Sequence, residues 1–223
     1  GFEESEGMRI PDEYLQEQEF VIMRACHGIG DYGIISAMPR LLKQKYPKCG
    51  VFLPSINLYR KLWGRDNKIV ESIYKNNPYV DGFVDSVKGD IFHDHYRVWN
   101  KDKSDIPLVK QMLRFWQFEE NEMEDCLPEI YWTTKEKTLG DDIIKDVVGD
   151  EDYGCLMISD RFGQDDKKFN PETYEKHHSK LSKLLKENDY PYFYWSYKPI
   201  RELGFDFKKG LDLRNMDLRI QLY

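Results

Sequence analysis

The stretch that most constrains this chain is residues 20–33, where an apolar run gives way to a turn rich in glycine. Phe20–Cys26 begins with four consecutive apolar residues, which is typical of a buried strand. Three glycines follow: Gly28, Gly30 and Gly33. A strand and a glycine turn before a helix open a βαβ unit, and ligands bind such units where the carboxyl end of the strand meets the start of the helix. Asp31 lies in that turn, so the pattern predicts a carboxylate at the mouth of a cleft.

The helix predicted after the turn contains a proline. Apolar residues recur at helical spacing from about Asp31 to Tyr46, and Pro39 stands among them. Inside a helix a proline removes one backbone hydrogen bond and costs about 3 kcal/mol, whereas in a first turn it is tolerated. We therefore expect a short helical turn, a kink at Met38-Pro39 and a second helical piece at Arg40–Lys45.

Strands and helices alternate along the rest of the chain. The strands predicted after the first are Val51–Leu53, Gly82–Val87, Asp90–Asp94, Pro128–Trp132, Gly154–Ser159, Pro191–Tyr197 and Leu211–Leu213. The helices predicted among them are Ile56–Trp63, one that begins at Asp105–Pro107, Thr134–Val148, Pro171–Asn188 and Leu218–Tyr223. This alternation predicts an α/β protein with mostly parallel sheets.

The strand–helix pattern restarts near residue 154, which indicates two Rossmann-like domains. The expected organisation is a polar, loosely packed lead segment at 1–19, an N-terminal domain at 20–133, a linking helix at 134–150 and a second domain at 151–223. Few strands are predicted after residue 151, and the last helix has barely two turns. We therefore expect the second domain to be incomplete.

Composition and charge exclude several classes of function. A net charge of -7 argues against a protein that binds nucleic acid through phosphate contacts. The mean hydropathy is -0.71, and no apolar run approaches the roughly 20 residues of a membrane-spanning helix. The four cysteines are scattered, which favours reduced thiols in the cytoplasm. Neither His93–His95 nor His177-His178 is accompanied by a further ligand at metal-site spacing, so no metal is expected.

The glycine turn has competing interpretations. Residues 28–33 match the G-x-G-x-x-G of dinucleotide-binding proteins, but that fingerprint also needs an acidic residue at the end of strand two. Strand two ends at Leu53–Ser55 without an acid, and Pro39 interrupts the helix, so a dinucleotide oxidoreductase is disfavoured. Alternatively, the glycines serve only tight packing of strand on helix. Asp31 in turn either complements the helix terminus, which is worth about 0.3–1 kcal/mol, or acts as a general base toward a substrate hydroxyl.

Several short segments carry a family resemblance by their order and spacing. They are His27–Asp31, Ser36–Pro39, Leu41-Leu42, Tyr46-Pro47, Asn77–Asp81, Leu127–Tyr131 and Lys167–Tyr174. Together they resemble the Gly-Asp turn, the helix with an internal proline, the "NPyvD" segment, the exit strand and the "K-x-W-P-x-E-x-F" loop of glycosyltransferase family 9, the lipopolysaccharide heptosyltransferases. The resemblance runs from about residue 20 to residue 223. It implies a GT-B fold, in which two Rossmann-like domains flank the active cleft and no metal or other cofactor is required.

The resemblance also implies roles for individual residues. Asp31 matches the carboxylate that deprotonates the acceptor sugar hydroxyl. Lys167 matches the lysine that neutralises the donor diphosphate as it leaves. Because Phe169–Pro171 stands where the family has Trp-Pro, Lys168 is an alternative to Lys167, and Arg161 is a further candidate.

Partners and location follow from the same resemblance. The expected donor is a nucleotide diphospho-sugar such as ADP-heptose, and the expected acceptor is a glycan or glycolipid of the cell surface, without nucleic acid. The expected location is the cytoplasm, with peripheral contact at the inner face of the membrane as an option. The family's donor-nucleotide turn, "D-S-G-x-x-H", does not occur before residue 223, so we expect a fragment of a longer enzyme. The alternative function is a non-catalytic module that binds a glycan or a partner, with stacking on Phe115–Phe118 or Tyr192–Trp195, although such aromatic segments more often form core.

Overall fold

A computed structural model of the protein describes residues 9–24, 28–87, 92–94, 106–158, 171–187, 191–196 and 210–223. The chain divides into two units, Gly1–Trp132 and Thr133–Tyr223. Each unit contains a parallel sheet with helices, and each is described here by itself. The α/β class with parallel sheets, predicted from the alternation of elements, is confirmed.

The sheet of the first unit has four parallel strands in the order β3-β2-β1-β4. The strands are β1 (Glu19–Met23), β2 (Gly50–Pro54), β3 (Gly82–Val84) and β4 (Phe92–Asp94). β1 lies between β2 and β4, and Phe20, Val21, Ile22 and Met23 are all buried. A strand that is buried on both faces needs consecutive apolar residues, which explains why Phe20–Met23 is a continuous apolar run.

The helices of the first unit follow the strands in a βαβ order. They are α1 (Asp12–Leu15), α2 (Ile29–Gly33), α3 (Met38–Lys45), α4 (Ile56–Trp63), α5 (Lys68–Tyr74) and α6 (Leu108–Arg114), with a 3-10 turn at Glu120–Met123. The predicted interruption at Met38-Pro39 is confirmed, because α2 and α3 are separate and Pro39 lies in the first turn of α3. In that position the missing proline N–H has no helical partner to lose.

The core of the first unit lies against the central strand. Phe20 stacks on Tyr46 with ring centroids 5.7 Å apart and meets Trp116 edge-on at 5.2 Å. Val21 and Met23, which point to the other face of the sheet, pack with Leu58 of α4. Both faces of β1 are therefore covered, which fixes the position of the strand and of its carboxyl end.

Three expectations for the first unit are wrong. Pro128–Trp132 is not a strand: Glu129 N donates to Ser36 Oγ (2.7 Å) and Arg40 Nε donates to Glu129 Oε2 (2.9 Å), so side chains take the place of a ladder. The helical spacing of Leu108, Met112, Phe115 and Trp116 predicts one apolar stripe, but Phe115 does not belong to it, since it is 62% exposed. β3 ends at Val84 rather than at residue 87.

The lead segment is also better packed than expected over its described part. Leu15 of α1 is buried. Ile10 N donates to Gln117 Oε1 and Gln117 Nε2 donates to Ile10 O, both at 2.7 Å. The segment is thus tied to the turn after α6 by a two-way amide pairing that only tertiary structure reveals.

The sheet of the second unit has three parallel strands in the order β5-β6-β7. Its strands are β5 (Gly154–Ile158), β6 (Tyr192–Ser196) and β7 (Gly210–Asp212), and its helices are α7 (Thr134–Val148), α8 (Pro171–Glu187) and α9 (Leu218–Leu222). α7 has the predicted bounds because a capping box of Thr133 and Glu136 starts it and Gly149, at φ 67°, ends it. Among the described residues, no helix is both long and apolar enough to cross a membrane.

Candidate active site at the carboxyl end of the first strand

The glycine turn lies where the sequence pattern places it. β1 ends at Met23, Arg24 follows, and α2 begins at Ile29 with Gly28 as its N-cap. Asp31 is the third residue of α2. Its carboxylate therefore stands at the carboxyl edge of the sheet, beside the central strand, where α/β proteins bind ligands.

The Asp31 carboxylate is held at both oxygens. Oδ2 accepts a hydrogen bond from Gly28 N at 2.9 Å, which is the acidic half of a capping box. Oδ1 lies 3.3 Å from Nη2 of Arg24. The side chain is 33% exposed. Each carboxylate oxygen offers about two acceptor sites, so the carboxylate has room for a substrate hydroxyl in addition to these partners.

Arg24 is the residue of this site that the sequence prediction missed. Its side chain is only 3% exposed, and Nη1 donates to the main-chain oxygen of Asp31. A buried guanidinium needs a carboxylate and hydrogen bonds in compensation, and Asp31 supplies both kinds of partner. The available signal was a cation placed directly after the apolar run of Phe20–Met23.

Three buried tyrosines lie beneath the turn. Arg24 N donates to the Tyr32 hydroxyl at 3.0 Å, the Tyr59 hydroxyl donates to Arg24 O, and the Tyr74 hydroxyl donates to Tyr32 O at 3.1 Å. Burial raises the pKa of Tyr59 to about 12 and raises the pKa values of Tyr32 and Tyr74 well above the ordinary value. All three hydroxyls are therefore protonated at neutral pH and serve as hydrogen-bonding groups, not as charges.

The three glycines of the turn differ in the space around them. A Cβ on Gly28 would stand 2.8 Å from Asp31 Oδ2, so this glycine makes room for the carboxylate. A Cβ on Gly30 or Gly33 would meet nothing within 4 Å among the described residues. The dinucleotide fingerprint uses its third glycine for close packing of helix on strand, and among the described residues Gly33 makes no such contact. The interpretation of the glycines as packing devices stays a prediction that these contacts do not support for Gly30 and Gly33.

The second strand gives no support to a dinucleotide site either. After β2, Ser55 caps α4 by accepting from Leu58 N at 3.1 Å. Its hydroxyl donates to Asp85, which follows β3. The position where a dinucleotide enzyme needs an acid for a ribose hydroxyl thus holds a helix cap.

One of the family-like segments, Asn77–Asp81, has a structural role in the first unit. Asn77 Oδ1 accepts from Tyr79 N at 2.9 Å, which forms the turn before β3. Asp81 Oδ2 accepts from Val51 N at 2.7 Å and lies 2.6 Å from Lys43 Nζ. The "NPyvD"-like segment therefore joins β2, β3 and α3, and its side chains account for its pattern without a ligand.

The expected donor-side residues lie outside the described residues. Arg161, Lys167 and Lys168 all fall within 159–170. In the part of the chain that the structure describes, no three His, Cys, Asp or Glu side chains are grouped as a metal site requires. The predicted phosphate-binding role of the three cations remains a prediction.

The aromatic segments proposed for carbohydrate stacking are divided between core and surface, since Phe115 is 62% and Trp195 is 36% exposed. Trp116 and Phe118 in the first unit and Phe193 in the second unit are buried. A cavity of about 80 Å³ in the second unit is lined by Phe193, Ile143, Ile220 and other mainly apolar groups. Such a lining offers few donors to phosphate groups, so this cavity is unsuited to a nucleotide diphospho-sugar.

The two Rossmann-like units, each with a parallel sheet, define a GT-B-like fold. Among solved structures, the chain is similar to the crystal structure of a glycosyl transferase family 9 protein from Veillonella parvula DSM 2008. The TM-score is 0.53 at 8% sequence identity, over 89% of this chain and 69% of that chain. No protein-family model and no curated protein matches the chain. The likeness therefore shows a shared fold.

Proposed function

We propose that this protein is a glycosyltransferase that moves a sugar from a nucleotide diphospho-sugar to a hydroxyl of a glycan acceptor, with inversion and without a metal ion. The observation that carries the proposal is the partly exposed Asp31 carboxylate at the carboxyl edge of the first sheet. The fold shared with a glycosyl transferase family 9 structure supports it.

In the proposed reaction Asp31 is the general base. It takes the proton of the acceptor hydroxyl while that oxygen forms a bond to the anomeric carbon of the donor sugar. The bond from that carbon to the diphosphate breaks on the opposite face, and the nucleotide diphosphate leaves with the electron pair. Negative charge grows on the departing oxygen, and Lys167, Lys168 and Arg161 are proposed to stabilise it.

The finer assignment rests on the sequence resemblance. We propose a heptose as the transferred sugar, ADP-heptose as the donor and a lipopolysaccharide-type glycan or glycolipid as the acceptor. Because such an acceptor is anchored in a bilayer, the proposed place of action is the cytoplasmic side of the membrane, reached by peripheral contact.

The direct test is turnover of a panel of nucleotide diphospho-sugars by the full-length protein, followed by Asp31→Asn. Loss of a general base lowers the rate by about 10²–10⁴-fold. Turnover of the Asp31→Asn enzyme near the wild-type level would show that Asp31 is not the base.

The substitution needs a control because Asp31 also compensates a buried cation. Asp31→Asn leaves Arg24 without its carboxylate, so part of a rate loss would reflect destabilisation. The double variant Arg24→Met/Asp31→Asn removes both charges. If Asp31 is the base, the double variant regains stability in urea but not activity. Glu120→Gln is a matched surface control, because the exposed Glu120 carboxylate is likewise paired with cations, Lys110 and Arg114.

A non-catalytic module is the second candidate, and one observation favours it. The contacts of Asp31 to Gly28 N and Arg24 are those of a capping residue, so the carboxylate has a structural role that requires no catalysis. A glycan-array titration separates the two functions. A module binds glycans and releases no nucleotide from any donor, and Asp31→Asn leaves its affinity unchanged once stability is restored by Arg24→Met.

A further inference from the structure

Arg24 carries a buried positive charge directly beside the candidate base. Its side chain is 3% exposed, Nη2 lies 3.3 Å from Asp31 Oδ1, and Nη1 donates to Asp31 O. Removing a guanidinium from water is unfavourable unless a charge and hydrogen bonds compensate it. The side chain of Arg24 thus contacts Asp31 at two points, the carboxylate and the main-chain oxygen.

The main chain of Arg24 is held as tightly by two tyrosine hydroxyls, which we name the tyrosine clamp (Tyr32 and Tyr59). Arg24 N donates to the Tyr32 hydroxyl at 3.0 Å, and the Tyr59 hydroxyl donates to Arg24 O. The two hydroxyls are also hydrogen-bonded to each other. The Tyr32 hydroxyl also lies 3.3 Å from Arg24 O, so both hydroxyls face the same carbonyl. The hydrogen bonds form a closed ring around one residue, and such rings strengthen their members mutually.

The clamp is itself fixed in the core. Tyr32, Tyr59 and Tyr74 are each about 0–1% exposed, and the Tyr74 hydroxyl donates to Tyr32 O at 3.1 Å. Tyr59 belongs to α4 and Tyr74 to α5, so two further helices hold Arg24 and the start of α2. Arg24 therefore has little freedom in either its backbone or its side chain.

We infer that Arg24 is the positioning residue of this site and that, through it, the tyrosine clamp fixes the direction in which the Asp31 carboxylate faces the acceptor. The inference deepens the proposed function and rests on Asp31 being the base. Gly28 N holds Oδ2 and Arg24 holds Oδ1, so the carboxylate is anchored at two points and rotation about its χ angles would break these contacts. The remaining lone-pair directions are then fixed in space for the acceptor hydroxyl.

The kinetic test compares two buried tyrosines of the same unit. Tyr59→Phe removes the hydroxyl that donates to Arg24 O, and Tyr46→Phe removes a hydroxyl that donates to Trp116 O at 2.7 Å. Misplacing a reacting group by about 1 Å costs up to about 10²-fold, so Tyr59→Phe should lower kcat by roughly tenfold with KM unchanged. Tyr46→Phe should lose similar stability and keep kcat. Equal kcat values for the two variants would overturn the inference.

A second readout does not depend on activity. The Gly28 amide donates to Asp31 Oδ2, so its NMR shift and its hydrogen exchange report the orientation of the carboxylate. In Arg24→Lys, Arg24→Met and Tyr59→Phe the Gly28 signal should move toward its position in Asp31→Ala, and in Tyr46→Phe it should not.

The two readouts also separate the inference from the proposed function. If the wild-type protein transfers no sugar while the Gly28 signal moves in these variants, the glycosyltransferase proposal fails and the positioning role stands. If the signal stays in place in Arg24→Lys and in Tyr59→Phe, the positioning role is wrong. Arg24→Lys and Tyr59→Phe are conservative changes, so the test stands even if Arg24→Met does not fold.

Discussion

Asp31 Oδ2 lies 2.8 Å from the point where a Cβ on Gly28 would stand. The same oxygen accepts the hydrogen bond of Gly28 N at 2.9 Å. Gly28 thus binds the carboxylate with its main chain and gives it space by having no side chain. Its φ of -77° is open to any residue, so the demand for glycine comes from Asp31 and not from the backbone.

This relationship predicts opposite outcomes for the same substitution at two positions of the turn. Gly28→Ala should displace the carboxylate, remove the cap of α2 and lower the free energy of unfolding by about 1 kcal/mol. Gly30→Ala should raise it by about 0.5–1 kcal/mol, because alanine is the better helix former and its Cβ meets no described atom. Urea denaturation measures both changes. If both substitutions changed the free energy of unfolding in the same direction, the role of Gly28 in making room for the Asp31 carboxylate would be contradicted.

A second prediction concerns Glu136 of α7 and Arg219 of α9. Arg219 Nη2 donates to Glu136 Oε2 at 3.0 Å, and the hydrogen bonds from Arg219 lower the pKa of Glu136 from 4.5 to about 2. A carboxyl group whose pKa is lower in the folded state contributes stability above its unfolded pKa and loses it as the pH falls toward the folded pKa. The stability from this pair is therefore complete above pH 4.5 and is lost between pH 4.5 and pH 2.

Glu136→Gln tests that window because glutamine imitates the protonated acid. We expect Tm of the wild-type protein to exceed that of Glu136→Gln above pH 4.5 and the difference to shrink as the pH approaches 2. A difference that is constant across this range would mean that the ion pair contributes nothing measurable.

A third prediction concerns Gly140 in the middle of α7. A Cβ at this position would overlap the ring of Tyr223, whose hydroxyl donates to Asp141 Oδ1 at 2.6 Å. Gly140→Ala should therefore displace Tyr223 and destabilise the second unit by about 1–3 kcal/mol despite the better helix propensity of alanine. In a Tyr223→Ala background the same change should become stabilising. Destabilisation of equal size in both backgrounds would place the clash elsewhere.

Local signals predicted some elements completely. The helix Ile56–Trp63 has the predicted bounds, because Ser55 caps its start and Gly64, at φ 65°, ends it. The helix Thr134–Val148 is likewise bounded by its own capping box and by Gly149. Where the residues that start and stop an element are its neighbours in sequence, the sequence is sufficient.

Long-range partners account for what the sequence did not show. Pro128–Trp132 has a strand-like pattern, but its hydrogen bonds go to Ser36 and Arg40, about 90 residues earlier in the chain, as separations of 93 and 89 show. Asp31 was placed correctly at the carboxyl end of β1 because the glycine turn is a local signal. Arg24 was missed because the Tyr59 hydroxyl that holds its main-chain oxygen comes from another helix, which the local sequence does not show.

The buried tyrosines give the last prediction, which concerns alkaline pH. Burial raises the pKa of Tyr59 from 10.0 to about 12 and raises the pKa values of Tyr32 and Tyr74 in the same direction. A group that binds its proton more tightly in the folded state stabilises that state below the unfolded pKa and ceases to do so as the pH rises through the folded pKa. The stability linked to Tyr59 is therefore complete below pH 10 and is lost between pH 10 and about pH 12. The stability linked to Tyr32 and Tyr74, whose pKa values are raised further, persists to higher pH.

In an alkaline titration the tyrosinate absorbance and the far-UV circular dichroism should consequently report two populations of tyrosine. Exposed residues such as Tyr14 should ionise while the dichroism stays native, since Tyr14 is 58% exposed. The buried tyrosines should ionise only together with the loss of dichroism, because a tyrosinate cannot donate the hydrogen bonds from Tyr59 to Arg24 O and from Tyr74 to Tyr32 O. If all tyrosines ionised while the protein kept its native dichroism, the hydroxyls of the tyrosine clamp would be accessible to solvent in the folded state, and the prediction would be wrong.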